Sequence, residues 1–217
     1  MVSPLRRKIR LAALAAGSLG AVVLPLIRRA PLPALNLPYD VRTVDEAVEH
    51  CRTCQCDGWE LVDHATALVN EKFTRYSTWH LWESPRRAFQ HSRGYSEQYN
   101  MALAEILTRL GFEVTVVRSD KVDFDIVRPQ SPHLLEGHCW LKVRYAGEER
   151  DVCASRKDNR AGAVRFRIVE PEYPVGPYRL WGNRVQLLPP AIGQIWTSML
   201  TSRPVARWMY RGFHDQG

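Results

Sequence analysis

The side chains that could carry out acyl transfer lie at three separated positions, Ser96, His138 and Asp151. Ser96 is near the start of a predicted amphipathic helix, where free backbone N–H groups and the helix dipole stabilise an anion. His138 opens a predicted strand and Asp151 opens the next, so that the two can face each other across an antiparallel pair. A carboxylate beside an imidazole fixes the tautomer of the ring, and the imidazole can take the proton of a nucleophile. The order nucleophile, histidine, aspartate therefore predicts acyl transfer or hydrolysis at an amide or ester.

Two cysteines lie close to this set in the sequence. Cys153 follows Asp151 by two positions and shares its strand face, which makes it an alternative nucleophile. Cys139 directly follows His138 and would point to the opposite face. A small buried hydrophobic residue is the simpler interpretation of both cysteines.

Four sequence features, in order, resemble the transglutaminase-like superfamily of papain-like fold proteins. They are Gly-Tyr-Ser at a helix start, Leu-Gly-Phe-x-Val, Gly-His-x-Trp, and a strand beginning with Asp, and they are carried by RGYSEQYNMALAEILTRLGFEVTVV (93–117) and GHCWLKVRYAGEERDVC (137–153). The resemblance covers roughly residues 58–170. It implies an α+β fold, peptide or protein amides as the substrate class, and a Cys-His-Asp triad whose roles fall on Ser96, His138 and Asp151.

The resemblance also suggests where an oxyanion donor could lie. Gln90 precedes Ser96 by six positions, a spacing that papain-like proteases use, and Trp79 or Trp82 could donate an indole N–H as an upstream Trp does in transglutaminases. Packing or surface exposure accounts for each of these residues equally well. Related arylamine N-acetyltransferases follow their Gly-aromatic-Cys with Glu and Asn, which Glu97, Gln98 and Asn100 echo loosely; Gly-His-x-Trp favours the transglutaminase-like branch.

Serine at the position of the family's cysteine leaves two hypotheses. A thiolate can be formed in advance beside a protonated histidine, whereas a serine hydroxyl must lose its proton to the base as it attacks. Ser96 could still attack, with His138 as base and then acid and Asp151 orienting it, in a hydrolase or acyltransferase. Alternatively, the chain is a catalytically inactive pseudoenzyme that uses the same cleft to bind a peptide or protein partner.

The stretch HCRTCQCD (50–57) places three cysteines beside two histidines, His50 and His64. Such residues can bind zinc, but no second Cys-x2-Cys pair completes a structural site. Two of the cysteines Cys51, Cys54 and Cys56 could instead form a disulfide, or all three could remain free thiols. We assign no metal, and no phosphate-binding glycine motif indicates a nucleotide cofactor.

Local patterns predict the elements that position these residues. Thr43–Glu46 and Asp57–Glu60 have capping-box spacing and predict two helix starts. A third helix is predicted over about 95–110, ending at Gly111. Alternating residues predict strands over 112–118, 138–145, 150–155 and 163–169. Helices followed by antiparallel strands favour an α+β domain, which we place at 40–183.

The two ends carry most of the net charge of +7, with six basic residues before the first acid, Asp40. This distribution argues against nucleic-acid binding and favours a membrane surface. Residues 11–27 form an apolar run that as a helix would span about 26 Å, so that 1–29 is predicted to be a membrane anchor or, alternatively, an export signal that is cleaved. Residues 30–39 are predicted to be a proline-rich spacer, and 184–217 an amphipathic helical extension that is either docked on the core or lies on a membrane.

Overall fold

The computed structural model describes the backbone of residues 17–18, 20, 29–124 and 137–215, and the side chains of these residues except 177–181 and 183. The α-helices are α1 (Val44–Thr53), α2 (Gly58–Lys72), α3 (Pro85–Gln90), α4 (Ser96–Arg109) and α5 (Pro177–Thr201). The strands are β1 (Arg75–Ser77), β2 (Arg93–Gly94), β3 (Glu113–Ser119), β4 (Val122–Asp123), β5 (His138–Tyr145), β6 (Glu148–Val152), β7 (Arg167–Ile168), β8 (Tyr173–Pro174) and β9 (Tyr210–Gly212). The fold is thus mixed α+β, as predicted.

The first two helices begin where the capping patterns predict. Thr43 Oγ1 accepts a hydrogen bond from Glu46 N, and Glu46 Oε2 accepts one from Thr43 N, so that a reciprocal capping box starts α1. Helix α2 starts at Gly58, after Asp57, but the Asp57 side chain makes no capping hydrogen bond. The spacing therefore predicted the start of α2 correctly without predicting its contacts.

A four-stranded antiparallel sheet in the order β6-β5-β3-β8 carries the His138 strand near its centre. Strands β5 and β6 are joined by a two-residue turn, Ala146–Gly147, in which both residues have positive φ (51° and 82°). Such a turn matches the twist of the flanking strands. It also sets the register, in which Lys142 is opposite Asp151 and Leu141 is opposite Val152.

Helix α4 is the central helix of the core. It contacts α1, α2, α3, β3 and β5, and its side chains Leu103, Ile106 and Leu107 are fully buried. Complete burial of each such side chain contributes about 1.5–3 kcal/mol. The same core includes Trp140 and Leu141 of β5. The position of Ser96 relative to the sheet is therefore fixed by the best-packed part of the molecule.

The predicted strand over 163–169 forms only in part. Ala163 bridges to Arg160, and Arg167–Ile168 pairs with the two residues of β4. Because β4 offers so short an edge, the ladder cannot extend further. The segment between them still packs inward, since Phe166 contacts the rings of His138 and Trp140.

Residues within the predicted proline-rich spacer, 30–39, are hydrogen-bonded to the domain. Ala34 N donates to His91 O (3.1 Å), and Asn36 N donates to Ser92 Oγ (2.9 Å). The Lys72 ammonium, which is fully buried, donates to Asn36 O. Proline lacks an N–H but keeps its carbonyl and its extended backbone, so this stretch can lie along α2 and α3 as a strap.

The C-terminal helix docks on the domain, the first of the two arrangements that the sequence left open. Residues Leu187, Leu188, Ala191 and Ile195 of α5 pack with Trp79, Leu81 and Tyr95. Ala191 and Ile195 are buried in this contact, whereas Leu200 is 73% exposed. After the helix, β9 pairs with β1 and completes the small sheet.

In the part of the chain that the structure describes, no helix has the length and apolarity needed to cross a membrane. The predicted anchor, residues 11–27, lies outside the described residues except for 17, 18 and 20.

Candidate functional site

Ser96 is the first residue of α4 and is 6% exposed. The turn that leads into the helix is held by Gln98, whose Oε1 accepts from Tyr95 N (3.2 Å). The amide Nε2 of Gln98 donates to His80 O (2.9 Å) and to Glu83 O (2.8 Å). One side chain thus ties the segment before α3 to the first turn of α4, beside Ser96.

The same first turn contains a buried ion pair with the C-terminal helix. Arg184 of α5 donates through Nε (2.8 Å) and Nη2 (2.7 Å) to Glu97 Oε1, and the Glu97 side chain is almost fully buried. Burial raises the pKa of Glu97, and Arg184 opposes that rise. Helix α5 therefore covers the start of α4.

Several buried polar atoms in this region have no hydrogen-bond partner among the described residues, including Trp79 Nε1, His80 Nε2 and Glu83 Oε2. His80 Nδ1 lies 2.9 Å from Ser77 Oγ, and burial, assisted by Arg93, lowers the pKa of His80 to about 4. Buried groups without partners are rare in folded proteins and concentrate at strained or functional places. The start of α4 is such a place.

The imidazole of His138 contacts a thiol. His138 Nε2 lies 3.3 Å from Cys153 Sγ, and Cys153 Sγ lies 3.2 Å from Ser155 Oγ. His138 is 3% exposed and Cys153 is fully buried. Burial, with a smaller contribution from Arg118, lowers the pKa of His138 to about 3, and burial raises the pKa of Cys153. Both groups are therefore neutral at pH 7, and the pair is not a thiolate–imidazolium ion pair.

Aromatic rings enclose the imidazole. Phe124 and Phe166 each approach it edge-on with centroids 5.0 Å away, and Trp140 lies roughly parallel to it at 6.3 Å. An apolar enclosure of this kind disfavours the protonated ring, which is the physical cause of the low pKa of His138.

Asp151 does not contact His138, contrary to the sequence prediction. Its Oδ1 accepts from Trp140 Nε1 (3.0 Å) and from Lys142 Nζ (3.2 Å), and within the described ranges no hydrogen bond joins it to His138. The register is the cause, because the turn at residues 146–147 places Asp151 opposite Lys142, four residues along β5 from His138. Cys153, two residues further on and on the same face, comes next to the imidazole instead.

Asn100 connects the helix to this pair. It lies one helical turn after Ser96, and its Nδ2 donates to Cys139 O (2.6 Å) and approaches Cys153 Sγ (3.5 Å). Its Oδ1 accepts from Ala154 N (3.1 Å). Residues i and i+4 share a helix face, so Ser96 and Asn100 both face the ends of β5 and β6. No hydrogen bond between Ser96 Oγ and either His138 nitrogen occurs among the described contacts.

The three candidate oxyanion donors differ in how far they are exposed to solvent. Gln90 is exposed at the last position of α3, and Trp82 is 52% exposed. Trp79 is buried with Tyr95, the residue before Ser96. Of the three, Trp79 has the burial and the free indole N–H that such a role requires.

The remaining cysteines take no part in this pair. Cys139 is buried with Arg118 Nη1 4.0 Å from its sulfur, and burial raises its pKa to about 12. Cys54 and Cys56 form a disulfide, one of the three states that the sequence left open, while Cys51 is a free, buried thiol. Across the described part of the chain, no group of three or more His, Cys, Asp or Glu side chains is arranged to hold a metal ion.

A cavity of about 460 Å³ adjoins the aromatic enclosure of His138. Phe124 and Phe166 belong to both, and we call this cavity the pocket behind His138. The rest of its lining is Asp123, Arg156, Asp158, Val164, Arg165 and Arg167. No sequence motif had pointed to this pocket, because its residues come from β4 and from the loop after β6.

No family model matches the chain, and no curated protein matches it.

Proposed function

We propose that this chain is a catalytically silent protein with a transglutaminase-like core, and that it binds an acidic peptide segment. The observation that carries the proposal is the 3.3 Å contact between His138 Nε2 and Cys153 Sγ. An acyl-transfer triad needs a carboxylate at that position to orient the imidazole and to stabilise its protonated form.

The architecture supports a transglutaminase-like core. Helix α4 begins at Ser96 and packs against an antiparallel sheet whose strand β5 begins at His138. This is the arrangement that the sequence resemblance implies for the nucleophile and the base. The helix start and the strand start thus agree with the resemblance, whereas a thiol rather than a carboxylate lies beside the histidine.

The base is poorly suited to proton transfer. A general base works best when its pKa lies near the operating pH, and burial holds the pKa of His138 at about 3. The carboxylate of Asp151, which could have offset that burial, is bound to Trp140 and Lys142. Proton transfer from a serine to this imidazole would have to overcome both defects at once.

Neither candidate nucleophile is accessible or activated. Ser96 is 6% exposed and has no hydrogen bond to the base among the described residues. Cys153 has no exposed surface, and its raised pKa keeps it a thiol. A buried neutral thiol is inert.

The pocket behind His138 supplies the chemistry of binding. Arg156 and Arg165 share Asp158 at 3.4 and 3.1 Å, and Arg167 pairs with Asp123 at 3.0 Å. Three guanidinium groups thus face two carboxylates, and each keeps N–H donors beyond those in its ion pair. A ligand carboxylate can accept these donors in pairs, while an apolar side chain can lie on Phe124 and Phe166. A peptide with acidic and apolar side chains fits both parts.

The binding test uses the full chain and two fluorescein-labelled peptides, one alternating Glu and Leu and the other alternating Lys and Leu, followed by anisotropy. We expect the acidic peptide to bind, the basic peptide not to bind, and a Kd at least tenfold higher in the Arg165→Gln, Arg167→Gln double variant. Arg144→Gln, an exposed arginine of β5 away from the pocket, is the matched control and should bind as the unaltered chain does. Equal binding of both peptides, or no effect of the double variant, would refute the pocket assignment.

The catalytic alternative has its own test. Fluorophosphonate should not label Ser96 of the folded chain, as judged by mass spectrometry beside Ser96→Ala. Labelling at Ser96 that disappears in Ser96→Ala and in His138→Gln would instead support a serine hydrolase or acyltransferase with Ser96 as nucleophile.

A further inference from the structure

A second histidine pair, separate from His138, lies between the first two helices. His50 is in the last turn of α1 and His64 is in the middle of α2, and both are partly exposed. Their Nε2 atoms are 3.2 Å apart, and the rings stack with centroids 5.2 Å apart and 26° between their planes. Nothing in the proposed binding function uses this pair.

We propose that the His50–His64 pair binds a divalent transition-metal cation through its two Nε2 atoms. In a tetrahedral zinc site each imidazole nitrogen lies about 2.0–2.1 Å from the metal, which separates two such nitrogens by about 3.3–3.4 Å. The observed separation is within about 0.2 Å of that value. The spacing of the two nitrogens therefore already suits a tetrahedral cation site.

The scaffold on which the pair sits is rigid. Ala47 and Val48 of α1, and Val62 and Ala65 of α2, flank the histidines in sequence and are fully buried. Ligands fixed by a packed scaffold lose little conformational freedom when they bind, which favours binding.

Tyr39 shields one side of the pair. Its ring stacks on His50 with centroids 4.5 Å apart and lies 6.2 Å from His64. Tyr39 and the following Asp40 both have positive φ (54° and 59°), which costs a non-glycine residue of order 1–3 kcal/mol. The stacking contact holds this strained turn over the histidines.

The metal would keep water at its remaining positions. Cys54 and Cys56 are in a disulfide, so their sulfurs are not thiolate ligands, and no third His, Cys, Asp or Glu joins the pair among the described residues. Imidazole ligands suit zinc, nickel and copper. Of these ions, copper(II) is generally bound more tightly than nickel(II) or zinc(II). The site is a two-histidine clamp that links α1 to α2.

The test is calorimetric titration of the full chain, free of reductant, with zinc chloride and separately with copper(II) chloride in a non-coordinating buffer. We expect one ion per chain, tighter binding of copper than of zinc, and affinity at least tenfold lower in His50→Gln and in His64→Gln. His214→Gln, which removes an exposed histidine near the C-terminal end, should bind as the unaltered chain does. Equal affinity in the unaltered chain and both variants would overturn the proposal.

Two further measurements distinguish metal binding at His50 and His64 from binding at the cysteine sulfurs and from misfolding of the variants. A Cys54→Ser, Cys56→Ser double variant should keep its affinity, and loss of binding there would assign the metal to the sulfurs. Zinc should move the imidazole Nε2 resonances of two histidines in the ¹⁵N spectrum of the unaltered chain. A spectrum in which zinc moves none of them would refute the clamp without relying on how the variants fold, and so would a His50→Gln spectrum in which zinc moves the His64 resonance as strongly as in the unaltered chain.

Discussion

Two side-chain pairs that contain histidine, His138–Cys153 and His50–His64, have similar contact distances, 3.3 and 3.2 Å, but differ in how far they are exposed to solvent. His138 is enclosed by aromatic rings and held neutral beside a neutral thiol. His50 and His64 lie partly exposed between two helices, where a cation can reach both ring nitrogens. The sequence predicts an acyl-transfer site at His138. For the stretch that begins at His50, it left zinc binding, a disulfide and free thiols open.

The difference shows that residue type and spacing do not by themselves determine what a histidine can do. Catalysis requires an imidazole that can gain and lose a proton near neutral pH, and metal binding requires one that is neutral and accessible. Burial without a carboxylate removes the first ability from His138. Partial exposure preserves the second ability at His50 and His64. Each prediction below changes one side of this comparison.

The largest expected effect is the pH dependence of stability that His138 creates. Its pKa is about 3 in the folded chain and 6.5 when the ring is free, so between these values the unfolded chain binds a proton that the folded chain does not. Stability therefore falls as pH falls through this window, by about 1.4 kcal/mol per pH unit. Urea unfolding at several pH values measures the total slope of the unaltered chain, to which His80 also contributes.

The comparison with His138→Gln isolates that contribution, because His80 and the carboxylates titrate in both proteins. The difference in unfolding free energy between the two should shrink steadily from pH 6.5 to pH 4. A constant difference over that range would mean that His138 titrates normally in the folded chain.

The next effect concerns Asn100, which anchors the buried pair to α4. Asn100→Ala removes the donor to Cys139 O and the acceptor for Ala154 N, and leaves both backbone groups buried. Such a loss costs about 1–3 kcal/mol. Denaturant unfolding should show it, with Asn36→Ala on the surface strap as a milder control. A cost below about 0.5 kcal/mol would mean that Asn100 does not hold the strand ends.

A third substitution introduces the missing carboxylate. Cys153→Asp places a carboxylate beside His138 Nε2, which favours the imidazolium and should raise the pKa of His138 by about 1–3 units. The imidazole ¹⁵N shifts of His138 should then titrate at correspondingly higher pH. The control is Cys153→Ser, which should leave the titration unchanged.

The Ser96→Cys variant by itself should show a pH–rate profile typical of an unperturbed thiol. A profile with a midpoint well below pH 8 would reveal an already charged site, and our account of the His138–Cys153 pair would then be wrong.

The smallest effect is expected at the exposed pair. Without metal, His64→Gln should change the unfolding free energy by no more than about 0.5 kcal/mol, because substitutions at partly exposed positions seldom cost more. Added zinc should raise the melting temperature of the unaltered chain and not that of the variant. A large metal-free cost would show that the contact of the two rings is itself a structural element.

Much of the fold followed from local patterns in the sequence. The capping box at Thr43–Glu46, the periodicity that ends at Gly111 and the alternation after His138 each depend on neighbouring residues, and the corresponding helices and strand were predicted within a residue or two. Patterns that need a distant partner were less informative. The strand over 163–169 could not be judged without knowing how short β4 is.

The candidate site depended on the register of two paired strands. The turn at Ala146–Gly147 places Asp151 opposite Lys142, and Cys153, two residues further along the chain, lies nearer to His138. Similarly, Gln90 and Trp79 were equal candidates until burial separated them. The pocket behind His138 depends on tertiary packing of Phe124 and Phe166, for which the sequence offers no local signal.

The most direct test of the central claim is the titration of His138 followed by imidazole ¹⁵N chemical shifts, with His138→Gln used to assign the resonance. The account predicts a neutral ring whose shifts stay constant from pH 8 down to pH 4.5. A titration with a midpoint of 6 or above would mean a protonatable base beside an activated thiol or serine, and would contradict the proposal that this chain is catalytically silent.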